Sequence, residues 1–394
     1  MSGLLQQNSP IRRAGLYAGG FLGPFGGGMV VVLIPEFRDV FHVSTATASL
    51  ALTTYLVPFA VLQLVSGTIG ERIGRDPVLR VAFLVYAIAS IATAITKSII
   101  PFLIARAIQG GANAFTSPLA LAKLAAATEE EELGKAVGTY ASVQTAGMVM
   151  APLIGGLAGA LDYRLAFVAA AIASLILMVI VPEKNPKPDP ALVPSIRSAL
   201  TPRTRWLCIS GAFFFICTVG LAIVVSLTAA DRHGIGASTR GLLLAGFGFA
   251  GVLAGRPSGE LLDRIGVQRI LLISVTATAV VTGLITLSND AYSLSVLWFL
   301  AGGASAMVAT TLNTLIVGAS RRNRGGAISI VGSSRFVGAA FAPVIWVPVY
   351  HANPHAAFLL AAIGMAVVAY AATRAIGASA GPPALTAAVA AEPL

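Results

Sequence analysis

Charge is what this sequence has least of. Asp, Glu, Lys and Arg make up 11% of its 394 residues, against about 25% in ordinary soluble domains. With 56% hydrophobic residues and a mean hydropathy of +0.85, the chain is excluded from the soluble globular class. Acids are scarcer than bases, 16 against 26, for a net charge of +10. In a soluble protein that balance would point to nucleic acid, but no nucleic-acid module is present and no nucleic-acid partner is expected. Cysteine is limited to Cys208 and Cys217, nine residues apart in one apolar run. That spacing excludes a disulfide framework and a metal pair, and leaves both as packing or lipid-facing residues. The sequence also lacks a phosphate-binding Gly-x4-Gly-Lys-Ser/Thr loop and a metal-ligand cluster, and its Gly-x-Ser-x-Gly run, Gly377 to Gly381, falls where the Ala/Pro/Gly-rich tail begins and not between a strand and a helix. ATP-driven pumping and membrane-embedded hydrolysis therefore have no residues to carry them. Neither catalysis nor a metal or other cofactor is expected.

What is present is a series of apolar runs, each of bilayer-spanning length, about 20 residues. Twelve can be counted, bounded by charges or by Gly, Pro, Asn and Asp clusters. In the first half they lie near 14–37, 46–70, 77–97, 99–122, 134–160 and 163–182. In the second half they lie near 204–230, 239–263, 268–288, 291–318, 324–350 and 354–376. The expected fold is all-α: twelve transmembrane helices in two six-helix bundles, 1–182 and 204–376, enclosing a central cavity. Residues 183–203 form a proline-rich linker, and the Ala/Pro/Gly-rich 377–394 is expected to be a disordered tail. Arg12 and Arg13 precede a full-length apolar run with no cleavage site after a short core, so no cleavable signal peptide is expected.

Orientation follows from the basic residues, which accumulate on the cytoplasmic side of membrane proteins. If the N-terminus and the linker are cytoplasmic, 19 of the 26 Lys and Arg fall inside and five outside; the remaining two, Arg106 and Arg335, lie within apolar runs. Both termini are expected inside, in the cell's inner membrane, with the lipid bilayer as the chain's principal partner and a monomer as its form.

The halves repeat one another. Gly67-Thr-Ile-Gly-Glu71-Arg72-Ile-Gly74-Arg75 returns as Gly259-Glu-Leu-Leu-Asp263-Arg264-Ile-Gly266, at an offset of 192 residues. Gln109-Gly110-Gly111-Ala112-Asn113 returns at the same offset as Ala301-Gly302-Gly303-Ala304-Ser305. Gly147-x3-Ala151-Pro152 returns as Gly338-x3-Ala342-Pro343, offset by 191. Matches in one order at nearly one spacing indicate a unit used twice.

Twelve spans, two equal halves, a cytoplasmic linker and a charged turn after the second span of each half resemble the major facilitator superfamily. The turn from Gly67 to Arg80 is similar to that family's cytoplasmic loop signature, although Glu71 stands where Asp is usual and Asp76 where a base is usual. The resemblance implies gating: an acid at a helix end pairs with Arg and with a neighbouring helix's N-terminus, which Glu71, Arg72, Gly74, Arg75, Asp263 and Arg264 would serve. Gly147-Met-Val-Met-Ala151-Pro152-Leu-Ile-Gly155-Gly156 resembles the fifth-helix signature of drug/proton antiporters, the exporter branch. Small residues four apart allow close helix approach, and Pro152 permits bending. Arg106 with Gln109-Gly110 resembles a fourth-helix motif of the same antiporters.

Arg106, Gln109 and Asn113 share one helical face. Arg106 and Arg335 are charges inside the apolar runs, and such residues default to a functional reading. Gln144 corresponds in position to Arg335 in the other half. Tyr55, Gln63 and Asn313 are further polar candidates for the cavity wall, as are Tyr17 and Thr310. The first apolar run has no carboxylate before Glu36, which weakens proton-coupled export of cations. The reading is a secondary transporter working by alternating access, exporting a small organic molecule or drug in exchange for protons. The alternative is a uniporter or symporter for a small organic anion, bound by Arg106 and Arg335. A non-transporting receptor on the same fold is the remaining class.

Overall fold

In the computed structural model the described residues are 10–180, 199–319 and 324–378, and they are helical almost throughout. Most of the 183–203 linker, Arg321, Arg322 and the tail beyond 378 lie outside them. The helices are α1 (Pro10–Phe41), α2 (Thr45–Ile73), α3 (Arg75–Ile95), α4 (Ile99–Asn113), α5 (Thr116–Ala126), α6 (Glu130–Leu161) and α7 (Arg164–Ile180), followed by α8 (Pro202–Asp231), α9 (Ala237–Ile265), α10 (Val267–Leu284), α11 (Ala291–Val317), α12 (Arg324–Ala352) and α13 (Pro354–Gly377). Ten of these are long and apolar enough to cross a membrane, and α7 is a shorter apolar helix of 17 residues. The apolar run 99–122, expected as one helix, is broken into α4 and α5 at Ala114-Phe115. Proline at 118 cannot donate to the carbonyl four residues back, at Ala114, and its ring crowds that carbonyl.

Helix ends follow local chemistry. Ser44, Thr201 and Asp290 cap α2, α8 and α11 by accepting from backbone N–H groups, which satisfies donors that have no intrahelical partner. Between α2 and α3 the chain turns at Gly74 with φ 110°, and between α9 and α10 at Gly266 with φ 84°. Only glycine takes these backbone angles without strain, so the repeated glycine is the corner itself.

Packing repeats with the sequence. In the first part α1 packs on α6, α2 on α4 and α3 on α7; in the second α8 packs on α12, α9 on α11 and α10 on α13. The repeated glycines explain how. A Cβ on Gly110 would sit 1.9 Å from the Tyr55 carbonyl oxygen, and one on Gly302 would sit 2.2 Å from that of Phe247. Tyr55 and Phe247 are themselves 192 apart. Likewise Gly147 faces the Phe21 carbonyl at 2.5 Å and Gly338 the Ala212 carbonyl at 2.1 Å, with Phe21 and Ala212 191 apart. The duplication is therefore one of backbone contacts.

Two seams join the halves, α2 against α12 and α6 against α9. Call the face bearing residues 10 and 377 the near face, and the opposite one the far face. On the α6 face that looks toward α1 and α9, Val137 near the helix start and Met148 just past its middle are 38% and 57% exposed. Farther along, Gly156 is buried with its Cβ position 2.5 Å from the Ala237 carbonyl of α9. On α12, Val337, Phe341 and Val344 form one exposed stripe. The opposite stripe runs from exposed Ile328 through Arg335 to buried Ala342 and Trp346, as a 100° step per residue requires. The inward surfaces are thus open toward the near face and sealed toward the far face.

Candidate functional site

The far seal is polar. Arg240 of α9 reaches α1, where its Nη2 bonds a Glu36 carboxylate oxygen at 2.5 Å and the Val32 carbonyl at 2.9 Å. Its Nη1 donates to the Ile235 carbonyl at 2.9 Å. Arg38 pairs with Asp231 of α8 at 3.0 Å, and the Tyr350 hydroxyl lies 3.4 Å from the same carboxylate. Ser226 donates to the Val31 carbonyl at 3.2 Å, and Thr53 to the Ala340 carbonyl at 2.8 Å. Arg240, one of the five bases that the charge count puts on the outer side, is 2% exposed. An ion pair is the condition for a charge to lie this deep.

At the near face the first repeated turn is built as a latch. Arg75 donates to Glu71 from Nε at 2.9 Å and Nη2 at 2.6 Å, and from Nη1 to the Ala122 carbonyl of α5 at 3.1 Å. Lys123, 2% exposed, pairs with Asp76. The partner of Glu71 is therefore Arg75, one helical turn on, while Arg72 is exposed. The second Glu71 oxygen is buried without a partner among the described residues. In the second half Asp263 and Arg264 are both exposed, and the nearby ion pair is Arg256–Glu260 at 3.0 Å. A Cβ on Gly67 or Gly259 would have nothing within 4 Å. So the sequence repeat is not a repeat of ion pairs.

Arg106, Gln109 and Asn113 come together as expected, but inside the helix packing. Arg106 is fully buried and donates to the Ala51 carbonyl at 3.2 Å, to the Gly26 carbonyl at 3.1 Å and to Gln109. Its guanidinium lies 4.2 Å from the Tyr55 ring centre. Gln109 donates to Ser90 at 2.5 Å; Asn113 donates to the Tyr55 hydroxyl at 2.5 Å and the Gly23 carbonyl at 2.7 Å. This network ties α1, α2, α3 and α4 together. At the 192-residue offset the position of Arg106 is taken by Trp298, whose ring lies tilted against that of Phe247 with centroids 4.5 Å apart. A cation over tyrosine in one half is thus an indole over phenylalanine in the other.

Arg335 differs. Its Nε and Nη2 are buried with no hydrogen-bond partner among the described residues, and its guanidinium lies 5.8 Å from the ring centre of Phe215 of α8. Phe336, next to it, packs on Phe59 of α2 at 4.6 Å and on Phe215 at 6.0 Å. Gln63 of α2 is half-buried, its amide oxygen without a partner among the described residues. Gln144 is half-buried and Asn313 exposed. Pro152 lies in the α6–α9 seam, its carbonyl oxygen 2.4 Å from a Cβ position on Gly241. The polar far seal is what the sequence reading missed. Its one signal was that Glu36 is the first acid of the chain, met at the end of an otherwise uncharged run.

A helical chain with spanning helices, a duplicated packing plan and an inward surface open on one side belongs to the class of multi-pass membrane transport proteins. The family model for the Major Facilitator Superfamily matches residues 16–234 and 207–392. The chain belongs to that superfamily. It is similar to the multidrug efflux protein YfmO of Bacillus subtilis, 24% identical over 326 residues that make up 81% of each chain. It is also 34% identical to the multidrug resistance protein MdtM of Escherichia coli over 153 residues, 37% of this chain and only 36% of that one. In fold it resembles a crystal structure of a bacterial homologue of the human lysosomal transporter Spinster in an inward-facing, unoccupied conformation. The TM-score is 0.71 at 17% identity, covering 94% of this chain and 98% of that one.

Proposed function

We propose that this protein is a secondary transporter that moves a small organic molecule out of the cell by alternating access, in exchange for protons. Twelve spans, with α4 and α5 forming the broken fourth, make two six-helix bundles, residues 1–182 and 204–376, in the inner membrane with both termini cytoplasmic. The observation that carries the reading is the asymmetry of the seams. The halves touch along the far parts of α2, α6, α9 and α12 and are open along the near parts. Such a surface is half of a rocking cycle around a site near the middle of the membrane. The state is inward-open: the Glu36–Arg240 and Arg38–Asp231 pairs hold the outer side shut. In the opposite state the Gly67 face of α2 closes on α12, and the unpartnered Glu71 oxygen finds donors there. Similarity to YfmO and MdtM supports export and a drug-like substrate.

The reading is tested in proteoliposomes holding the purified protein, with an imposed pH gradient and a panel of drugs and organic acids. Saturable movement of at least one compound that collapses with the gradient is expected. Movement that ignores the gradient contradicts proton exchange and leaves a uniporter.

A further inference from the structure

We propose that Arg335 holds the anionic group of the transported molecule, so that the substrate class is a carboxylate carried on a planar, aromatic body. The proposal deepens the transporter reading and rests on it. Arg335 lies about midway along α12, on the stripe opposite the exposed Val337, Phe341 and Val344. It therefore points inward, at the closed end of the open surface. Both fully buried arginines of the described residues are committed, while Arg335 is half-buried. Arg106 has two carbonyls, Gln109 and the Tyr55 ring; Arg240 has two carbonyls and Glu36. Arg335 alone keeps two buried nitrogens without an acceptor among the described residues.

Those two nitrogens, Nε and Nη2, lie on the same edge of the guanidinium. That edge is the one a carboxylate takes side-on with two parallel hydrogen bonds. Buried donors with no acceptor are costly, and a ligand that supplies the acceptors removes that cost. The acids of the described helices sit at helix ends, from Glu36 and Asp39 to Glu260 and Asp263, so none competes at this depth. The absence also leaves nothing to attract an organic cation.

The repeat shows that the fold does not need this charge. Gln144 occupies the position of Arg335 in the first half, at the 191-residue offset. Beside the guanidinium, Gly211 leaves room: a Cβ there would meet the Arg335 Cγ at 3.0 Å and Nε at 3.4 Å. Around it Phe215, Phe336 and Phe59 form a connected aromatic cluster from α8, α12 and α2, a surface for a flat apolar body. Gln63, one turn from Phe59 on the same face of α2, adds a buried amide oxygen without a partner.

The test is equilibrium binding to purified full-length protein by titration calorimetry. Benzoate, 1-naphthoate and indole-3-acetate are the anionic probes; 1-naphthamide and 1-naphthylmethylammonium are the neutral and cationic controls. Saturable binding of 1-naphthoate to the wild type is expected. Arg335→Gln should weaken it about tenfold or more, as loss of a charge-assisted pair does, and leave 1-naphthamide unchanged. Arg335→Lys should restore part of the affinity, because the charge returns without the fork. Should Arg335→Gln not fold, Phe215→Leu carries the test: it keeps the charge, and 1-naphthoate should bind severalfold more weakly. No saturable carboxylate binding to the wild type overturns the proposal. So do equal losses for 1-naphthoate and 1-naphthamide in Arg335→Gln, or unchanged 1-naphthoate binding in both Arg335→Lys and Phe215→Leu. The proteoliposome assay is separate. Binding through Arg335 without movement of any compound, with or without the gradient, would end the transporter reading and leave the anion site standing.

Discussion

Adding one methyl group at Gly156 should tilt the conformational balance and leave the fold intact. Gly156 of α6 lies in the seam between the halves, and a Cβ there would meet the Ala237 carbonyl at 2.5 Å and the Gly241 Cα at 2.9 Å. Ordinary contact begins near 3.4 Å, so α6 and α9 must part by roughly 1 Å, and overpacking of this kind costs about 1–3 kcal/mol. Each 1.4 kcal/mol is about tenfold in an equilibrium, so Gly156→Ala should move the population away from the outer-closed state by roughly 5- to 150-fold. Gly147→Ala is the control. Its methyl would meet the Phe21 carbonyl at 2.5 Å, but α1 and α6 belong to the same half, so that cost falls on stability. Accessibility is read at Ser226→Cys, a fully buried position of α8 bonded to Val31 of α1 in the other half, in a background with Cys208 and Cys217 changed to Ser. A membrane-impermeant maleimide should label it faster in Gly156→Ala and at the wild-type rate in Gly147→Ala, while the melting temperature should fall mainly in Gly147→Ala. Equal loss of melting temperature in both, with unchanged labelling, would refute the idea that this seam is a moving joint.

Two further perturbations follow from the ion pairs. Glu71→Gln weakens the acceptor of Arg75 and of the opposite state's closure, so turnover in proteoliposomes should drop severalfold while membrane expression holds; a normal rate would leave the turn a helix cap only. Glu36→Gln removes the partner of a nearly fully buried Arg240, and breaking such a pair costs about 3–5 kcal/mol where no relief exists. Opening the outer side gives relief here, so labelling at Ser226→Cys should rise; a lowered melting temperature with no rise in labelling would mean that the pair serves stability alone.

Much of the architecture was legible because glycine marks both kinds of event that define it. Gly74 and Gly266 sit at corners whose backbone angles other residues resist, and Gly110, Gly302, Gly147 and Gly338 sit where a side chain would strike a neighbouring carbonyl. Both requirements leave a fixed spacing in the sequence. The break at Ala114 was not legible, because Pro24, Pro35, Pro58, Pro152, Pro257, Pro343 and Pro348 lie inside helices that continue. Whether a proline breaks or bends a helix is decided by what packs beside it. Periodicity placed Arg106 inside an apolar run but could not say which neighbours face it; Trp298 at the repeat position was the available sign of a packing role. The Glu71–Arg75 pair was readable from its four-residue spacing. The Glu36–Arg240 pair was not, since its partners are 204 residues apart and belong to different halves.

The central claim is that the two faces open and close in opposition. Spin labels placed in pairs across the halves, one pair on the near face at Val137 and Ile328 and one on the far face at Asp39 and Arg232, measure it directly by pulsed dipolar spectroscopy in nanodiscs. Near-face and far-face distances should each show two populations, and a pH change that enriches the short near-face distance should enrich the long far-face distance. Faces that keep single distances, or that widen together, would contradict alternating access by this protein.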